Sequence, residues 1–378
     1  DYSFTAVPLF LLMGYIAMVS GITKSAFEAA SVWLKRIPGG LAMAACVASV
    51  PIGACMGSGV PATVALGQLA IPETINQKYD KGFATGTIAA TSTIASLIPP
   101  SIMMVVYAVY AQVSLGKMLL AGYIPGILSI LIYMFVIGLR VKLNPALAPE
   151  TDREPVPFRQ KLSALKGMWG IGVLFLVLFL SIYTGWFTAT EAAALAAFAA
   201  LVIMVVTKKF TWKAFWQGLK ETIETTAVLF IILIASVIFV VFIDVTGLPR
   251  IVSSAIVGAN LPVWGFLGLL MVVYLIMGVF LPSIASLLLT LPILLPVMVS
   301  MDINLVWFGI LFIKMSEIGA ITPPFGMSVF IVKGVVGESV GLGEIFRGIG
   351  PYVVVELLTV ILLMAFPVIS LWLPNHLF

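Results

Sequence analysis

What most constrains this chain is a series of apolar runs, each nearly free of charge and close to the length of a membrane span. They include Phe4–Val19, Tyr123–Leu139, Met168–Tyr183, Ala192–Val206, Val228–Ile243, Trp264–Leu281 and Tyr352–Leu371. About 20 helical residues cross a hydrocarbon core. Backbone polar groups in lipid must be satisfied within the segment, which makes such runs helices. A β-barrel strand would alternate apolar and polar residues, and these runs do not. With 61% hydrophobic and 10% charged residues, against roughly 25% charged in soluble domains, a soluble globular domain is excluded. The sequence predicts an all-α polytopic membrane protein.

A second pattern lies on top of the first. Ile98-Pro99-Pro100-Ser101 returns in kind as Thr322-Pro323-Pro324-Phe325, 224 positions later. Pro38 and Pro262 share that offset, Gly122–Pro125 and Gly348–Pro351 lie 226 apart, and Met56-Gly57 with Pro61 resembles Met277-Gly278 with Pro282 at 221. Four landmarks in one order at nearly one offset indicate an internal repeat. Each half carries a Gly- and Pro-marked turn between short apolar arms, which suits a helical hairpin, followed by a Pro-Pro break in a helix. The predicted organisation is a first repeat over 1–145 (hairpin about 41–72, broken helix about 83–112), a cytoplasmic linker over 146–166, and a second repeat over 167–378 (hairpin about 262–300, broken helix about 304–334).

Proline lacks an N–H and leaves the carbonyl four residues earlier without its donor. Pro99 and Pro100 are therefore expected to free Ala95 and Ser96, Pro323 and Pro324 to free Gly319 and Ala320, Pro61 to free Gly57, and Pro282 to free Gly278. Free carbonyls in a bilayer are costly, and paired discontinuous helices in two halves point to a transporter site where carbonyls and half-helix ends hold Na⁺ or H⁺. Hydroxyls cluster at the same four places: Ser58, Thr63, Ser92, Thr93, Ser96 and Ser101 in one half, Ser283, Ser286, Thr290, Ser316 and Thr322 in the other. Neutral oxygens without a carboxylate cage suit a monovalent cation better than Ca²⁺. The candidate Na⁺ ligands are Gly57, Ser58, Thr93, Ala95, Ser96, Gly278, Ser283, Gly319, Ala320 and Thr322. The candidate substrate contacts are Ser58, Gly59, Ser92, Ser283, Thr322 and Pro323, where half-helix N-termini can receive a carboxylate without an arginine.

Ionisable groups inside apolar segments are functional candidates. Lys314 and Glu317, at i and i+3, are expected to pair on one helix face, and Glu356 to meet a polar interface or partner. Thr188-x-x-Glu191 reads as a capping box. Lys24–Arg36 and Phe210–Lys220 mix cationic and aromatic residues, as helices lying in the membrane interface do. Arg140–Lys166 gathers six basic residues, which places it in the cytoplasm. The net charge of +4 gives no reason to expect nucleic acid as a partner. Cys46 and Cys55 lack companions for a disulfide framework or metal site.

The motifs also resemble a known family. Gly57-Ser58-Gly59-Val60, Ile71-Pro72-Glu73, Tyr79-Asp80-Lys81-Gly82-Phe83-Ala84-Thr85-Gly86-Thr87 and Leu97-Ile98-Pro99-Pro100-Ser101 look like the large membrane subunit of TRAP transporters, the tripartite ATP-independent periplasmic systems. So do Phe187–Ala194 and Glu317-Ile318-Gly319-Ala320-Ile321-Thr322-Pro323-Pro324-Phe325-Gly326. The resemblance runs from Val7-Pro8 to the last helix. It implies two inverted repeats with re-entrant hairpins and broken helices in an elevator-type fold, Na⁺ as coupling ion with no organic cofactor, and import of an organic acid such as sialic acid or a dicarboxylate. It further implies a four-helix small membrane subunit and a periplasmic substrate-binding protein as partners, in a bacterial inner membrane. Met56 and Gly59 stand where the family has serines, and Thr91-Ser92-Thr93-Ile94-Ala95 where it has Gly-Gly-Thr-Leu-Gly. The family carries a further hydrophobic helix ahead of the Val7-Pro8 motif, so this chain is expected to be part of a longer polypeptide.

Rival functions lack their chemistry in the sequence. An intramembrane enzyme needs a nucleophile–base pair or metal ligands; the single histidine is His376, and no His-Glu-x-x-His occurs. A primary pump would carry a phosphate-binding loop. A channel, or a permease working without a binding protein, is the alternative that the same helices could form.

Overall fold

The computed structural model describes residues 2–57, 59–149, 156–259 and 261–377. The described residues form helices joined by short turns. Seven of these helices are long and apolar enough to cross a membrane, or eight if Phe158–Lys166 and Trp169–Tyr183, bent by 55°, count as one span. Local chemistry sets many boundaries. The Thr188 hydroxyl accepts from the Glu191 N–H while the Thr188 N–H donates to the Glu191 carboxylate, closing the capping box at Ala189–Val206. Asp80 caps Lys81–Thr91 by accepting from the Phe83 N–H at 2.7 Å. Asn304 caps Leu305–Ile321 through the N–H groups of Val306 and Trp307.

Two hairpins and two broken helices form the centre. The first hairpin pairs Gly40–Met56 with Gly59–Asn76. The first broken helix runs through Lys81–Thr91, a 3-10 turn over Ser92–Ser96, and Ile102–Tyr110. The second hairpin pairs Val263–Phe280 with Ser283–Ser300, and the second broken helix is Leu305–Ile321 followed by Met327–Val336. Both Pro-Pro bonds are cis.

The breaks carry the chain between two buried apolar clusters. One cluster holds the first hairpin, Phe83 to Ile98, and Val329 and Val332 from beyond the second break. The other holds the second hairpin, Phe308 to Ile318, and Ile102 to Ala108 from beyond the first break. Each broken helix therefore packs its first part with its own half and its last part with the other. Ala6–Val19, packed on Ala189–Val206 and Trp212–Thr246, borders this centre.

Two expectations are corrected here. Phe210–Lys220 is not a separate interfacial helix. From Trp212 it runs unbroken into the following apolar run, giving a 35-residue helix, Trp212–Thr246. At about 1.5 Å per residue this exceeds the hydrocarbon thickness, so its first turns carry Lys213 and Lys220 beyond the apolar layer. Lys314 does not pair with Glu317. Its ammonium meets the carboxylate of Glu356 on Leu342–Ala365, with both side chains 1% exposed.

Candidate functional site

The hairpin arms reach the broken helices because small residues stand at the crossings. A Cβ on Gly53 would lie 2.4 Å from the Ala95 Cα, and a Cβ on Gly319 would lie 2.5 Å from the Gly278 Cα. Any side chain there would hold the backbones apart. The two crossings are equivalent, since Gly53 and Gly278 are 225 positions apart and Ala95 and Gly319 are 224 apart. The glycine of the first hairpin that corresponds to Gly278 is thus Gly53, not Gly57 as the Met-Gly pairs suggest.

Gly57 has a different duty. It ends Gly40–Met56 with a φ of +62° and accepts a hydrogen bond from the Ile102 N–H at 2.8 Å, which ties the first tip to the far side of the first break. Its carbonyl is therefore not free as expected. Pro61 does not release it either, because Pro61 lies in the first turn of Gly59–Asn76, ahead of any i→i−4 bond. The Gly319 carbonyl likewise accepts from the Thr322 N–H at 3.1 Å, as a tightened last turn. Among the described residues no backbone N–H donates to the carbonyls of Ala95, Ser96, Gly278 or Ala320.

Between the two tips lies a cavity of about 630 Å³. Gly59 and Pro61 border it from the first tip, and Gly278, Pro282 and Ser283 from the second. Glu317 and Ala320 face it before the second break, Ile102 and Ser328 after the two breaks. Its other wall is Ala6–Val19 and Trp212–Thr246, through Leu11, Tyr15, Glu221, Thr225 and Val228. Tyr15 and Thr225 are hydrogen-bonded to each other at 2.8 Å across that wall. The helices beginning at Gly59, Ile102, Ser283 and Met327 all start at this cavity.

The predicted residues divide. Gly59, Gly278, Ser283 and Ala320 line the cavity. Ser92 is buried, donates to the Ala89 carbonyl at 2.7 Å and accepts from the Thr63 hydroxyl at 2.6 Å, with the Gly59 carbonyl 2.8 Å from the same Thr63 oxygen. Thr93 and Thr322 donate to carbonyls of their own helices, at Ala90 and Ile318. Ser96 is fully buried, and its hydroxyl sits beside the Glu317 carboxylate at Gly59. Thr322 and Pro323 lie at the second break without lining the cavity. Ser58 lies outside the described residues. Two acids at the cavity were not among the predicted ligands: Glu317, expected to pair with Lys314, whose carboxylate instead faces the first tip, and Glu221. Acids two to three turns into a helix that becomes apolar, Glu221 and Glu224, are the signal.

The sequence profile described as "Tripartite ATP-independent periplasmic transporter, DctM component" matches residues 1–369. The chain belongs to the DctM family. A C4-dicarboxylate TRAP transporter large permease protein DctM from Pseudomonas aeruginosa is 34% identical over 378 residues, covering 100% of this chain and 87% of the relative. A sialic acid TRAP transporter large permease protein SiaM from Vibrio cholerae is 31% identical over 377 residues, covering 99% of this chain and 87% of that one. The fold is shared with the YdaH transporter of Alcanivorax borkumensis, whose crystal structure has an unusual topology. There the TM-score is 0.67 at 15% identity, over 96% of this chain and 84% of that one. This DctM-family chain is a multi-pass transport protein of the bacterial inner membrane.

Proposed function

We propose that this permease imports a small organic acid, delivered by a periplasmic substrate-binding protein and driven by Na⁺, with the cavity between the hairpin tips as its substrate site. The observation that carries the reading is the convergence of four half-helix N-termini, at Gly59, Ile102, Ser283 and Met327, on one cavity. A helix N-terminus presents unpaired N–H groups and about half a positive charge, so it receives an anion without a basic side chain. No Lys, Arg or His is among the described residues lining the cavity. Relatives named for C4-dicarboxylate and sialic acid transport support an acidic substrate.

Na⁺ belongs at the breaks. The carbonyls of Ala95 and Ser96 with the Ser96 hydroxyl offer one set of oxygens, and those of Gly278 and Ala320 with Ser283 offer another. Thr93 and Thr322 donate their protons to the helix behind them and keep lone pairs for an ion. Hairpins and broken helices would move together against the wall formed by Ala6–Val19 and Trp212–Thr246, as an elevator. The long, lipid-accessible face of Trp212–Thr246 suits contact with a four-helix small membrane subunit.

The test is uptake into proteoliposomes containing both membrane subunits, with the binding protein outside. Uptake should require an inward Na⁺ gradient and depend cooperatively on Na⁺. Full uptake on a proton gradient in Na⁺-free buffer would remove Na⁺ from the reading. Ohmic conductance in place of saturable uptake would favour a channel.

A further inference from the structure

At the end of the first broken helix away from its Pro-Pro break lies a second pocket, of about 400 Å³, which the transport reading does not use. It sits where two spans end. Arg140 is in the last turn of Tyr123–Leu143, Arg347 is early in Leu342–Ala365, and Lys81 begins Lys81–Thr91. Arg140 also opens the basic stretch that the positive-inside bias puts in the cytoplasm, so the pocket lies at the cytoplasmic membrane interface. Asp80, Phe83 and Glu344 complete its side-chain lining. Gly82 and Gly348 form its floor, where the two helices cross too closely for a Cβ on Gly348 to clear the Gly82 carbonyl.

The charges here are not spent on one another. The Arg140 guanidinium donates to the Gly348 carbonyl at 3.0 Å and lies over the rings of Phe83, at 4.9 Å, and Tyr352, at 5.4 Å. These contacts fix it in place and leave most of its N–H donors free. Lys81 gives one N–H to the Ser339 carbonyl at 3.0 Å and has two more. One Asp80 oxygen accepts the Phe83 N–H, which leaves the other. Glu344 and Arg347 are exposed, and among the described residues neither side chain has a hydrogen bond or an ion pair. Three cations and two acids thus share one pocket, with donors and acceptors of both signs available.

We infer that this pocket binds the headgroup of phosphatidylethanolamine, with the phosphate on Arg140, Arg347 and Lys81 and the ammonium on Glu344 and Asp80. The guanidinium fork matches phosphate oxygens, and basic pockets between spans on the cytoplasmic side suit lipid phosphates. The acids decide among lipids. Phosphatidylglycerol brings no cation to Glu344, and the second phosphate of cardiolipin would meet like charge there. A choline headgroup brings a cation without N–H donors, whereas an ethanolamine ammonium has three. The acyl chains also have a track. Val354, Leu358 and Ile361 follow Arg347 by 7, 11 and 14 positions, on one helix face, and all three are exposed. At 1.5 Å per residue that face runs roughly 21 Å from Arg347, enough to cover one leaflet of about 15 Å. A lipid held this way ties the start of the first broken helix to both neighbouring spans.

The test uses the two membrane subunits together, exchanged into detergent and freed of lipid. Native mass spectrometry counts the dioleoyl forms of phosphatidylethanolamine, phosphatidylcholine and phosphatidylglycerol added back, with a thermal melt alongside. Phosphatidylethanolamine is expected to bind about tenfold tighter than either of the others and to raise the melting temperature. Arg347→Gln, at an exposed residue with no described partner to lose, should cost about tenfold of that affinity without changing the lipid-free melt. Lys209→Gln, at another exposed basic residue, should change neither. Glu344→Gln should abolish the preference over phosphatidylglycerol. Equal binding of the three lipids, or wild-type phosphatidylethanolamine binding by Arg347→Gln, overturns the inference. Displacement of the lipid by an equal concentration of glycerophosphoethanolamine overturns it too, since the pocket would then read a soluble phosphate ester.

Discussion

Glu317 and Gly59 meet face to face between the hairpin tips, so closely that a Cβ on Gly59 would stand 2.7 Å from the Glu317 Oε2 and 3.2 Å from the Ser96 Oγ. Three elements converge at this point: the first tip, the first break and the helix before the second break. The glycine is what allows a carboxylate from one half to reach the tip of the other.

Gly59→Ala should therefore push the Glu317 side chain away without disturbing the helices, since the clash is with the far end of a flexible chain. Rotation of that flexible chain keeps the cost to folding small. The displaced carboxylate should appear as a roughly ten- to hundredfold loss of substrate or Na⁺ affinity, with little change in melting temperature. Glu317→Asp, one methylene shorter, should recover part of the loss in the double variant. Wild-type affinities for Gly59→Ala, measured by equilibrium titration in nanodiscs, would show that the contact does not matter.

The buried pair Lys314–Glu356 makes the second prediction. Removing one partner strands a charge away from water, at a cost of about 3–5 kcal/mol, whereas replacing both by apolar residues of similar volume is often neutral or stabilising. Lys314→Met and Glu356→Leu should each lower the melting temperature sharply, and the double variant should melt near the wild type. If the double variant is as unstable as either single one, the pair contributes more than mutual neutralisation. The second oxygen of Glu356, unpartnered among the described residues, would then be the place to look.

The same pair marks the limit of what the sequence reveals. Apolar run length and proline chemistry are local properties, so the spans, the hairpin turns and the Pro-Pro breaks can be read directly. The direction a side chain takes around a helix axis depends on what packs beside it. Lys314 and Glu317 are neighbours by spacing, yet Leu342–Ala365 supplies Glu356 to one and the first hairpin supplies Gly59 to the other. The hydroxyl clusters are legible as clusters. That Ser92 is engaged by Thr63, while Ser96 stands beside Glu317, requires the packed tips. The cavity's far wall comes from Ala6–Val19 and Trp212–Thr246, which carry no break, so the acid Glu221 is the local signal of it.

The last prediction concerns the matched crossings. At Gly53 and Gly319 the opposing atoms are backbone, at 2.4 Å from the Ala95 Cα and 2.5 Å from the Gly278 Cα, so nothing flexible can yield. Gly53→Ala and Gly319→Ala should each separate a hairpin arm from its broken helix, costing at least about 1–3 kcal/mol. The expected readout is a lower melting temperature for the purified membrane subunits, together with loss of Na⁺-dependent stabilisation because the carbonyls near the breaks are displaced. Gly172→Ala is the control: nothing lies within 4 Å of its Cβ position, and it sits inside the helix Trp169–Tyr183. There alanine should be neutral or stabilising by up to about 1 kcal/mol through helix propensity. If Gly53→Ala and Gly319→Ala melt with the control, the helices do not cross as tightly as described. The equivalence of the two halves at these crossings would then be a likeness of sequence without a shared packing role.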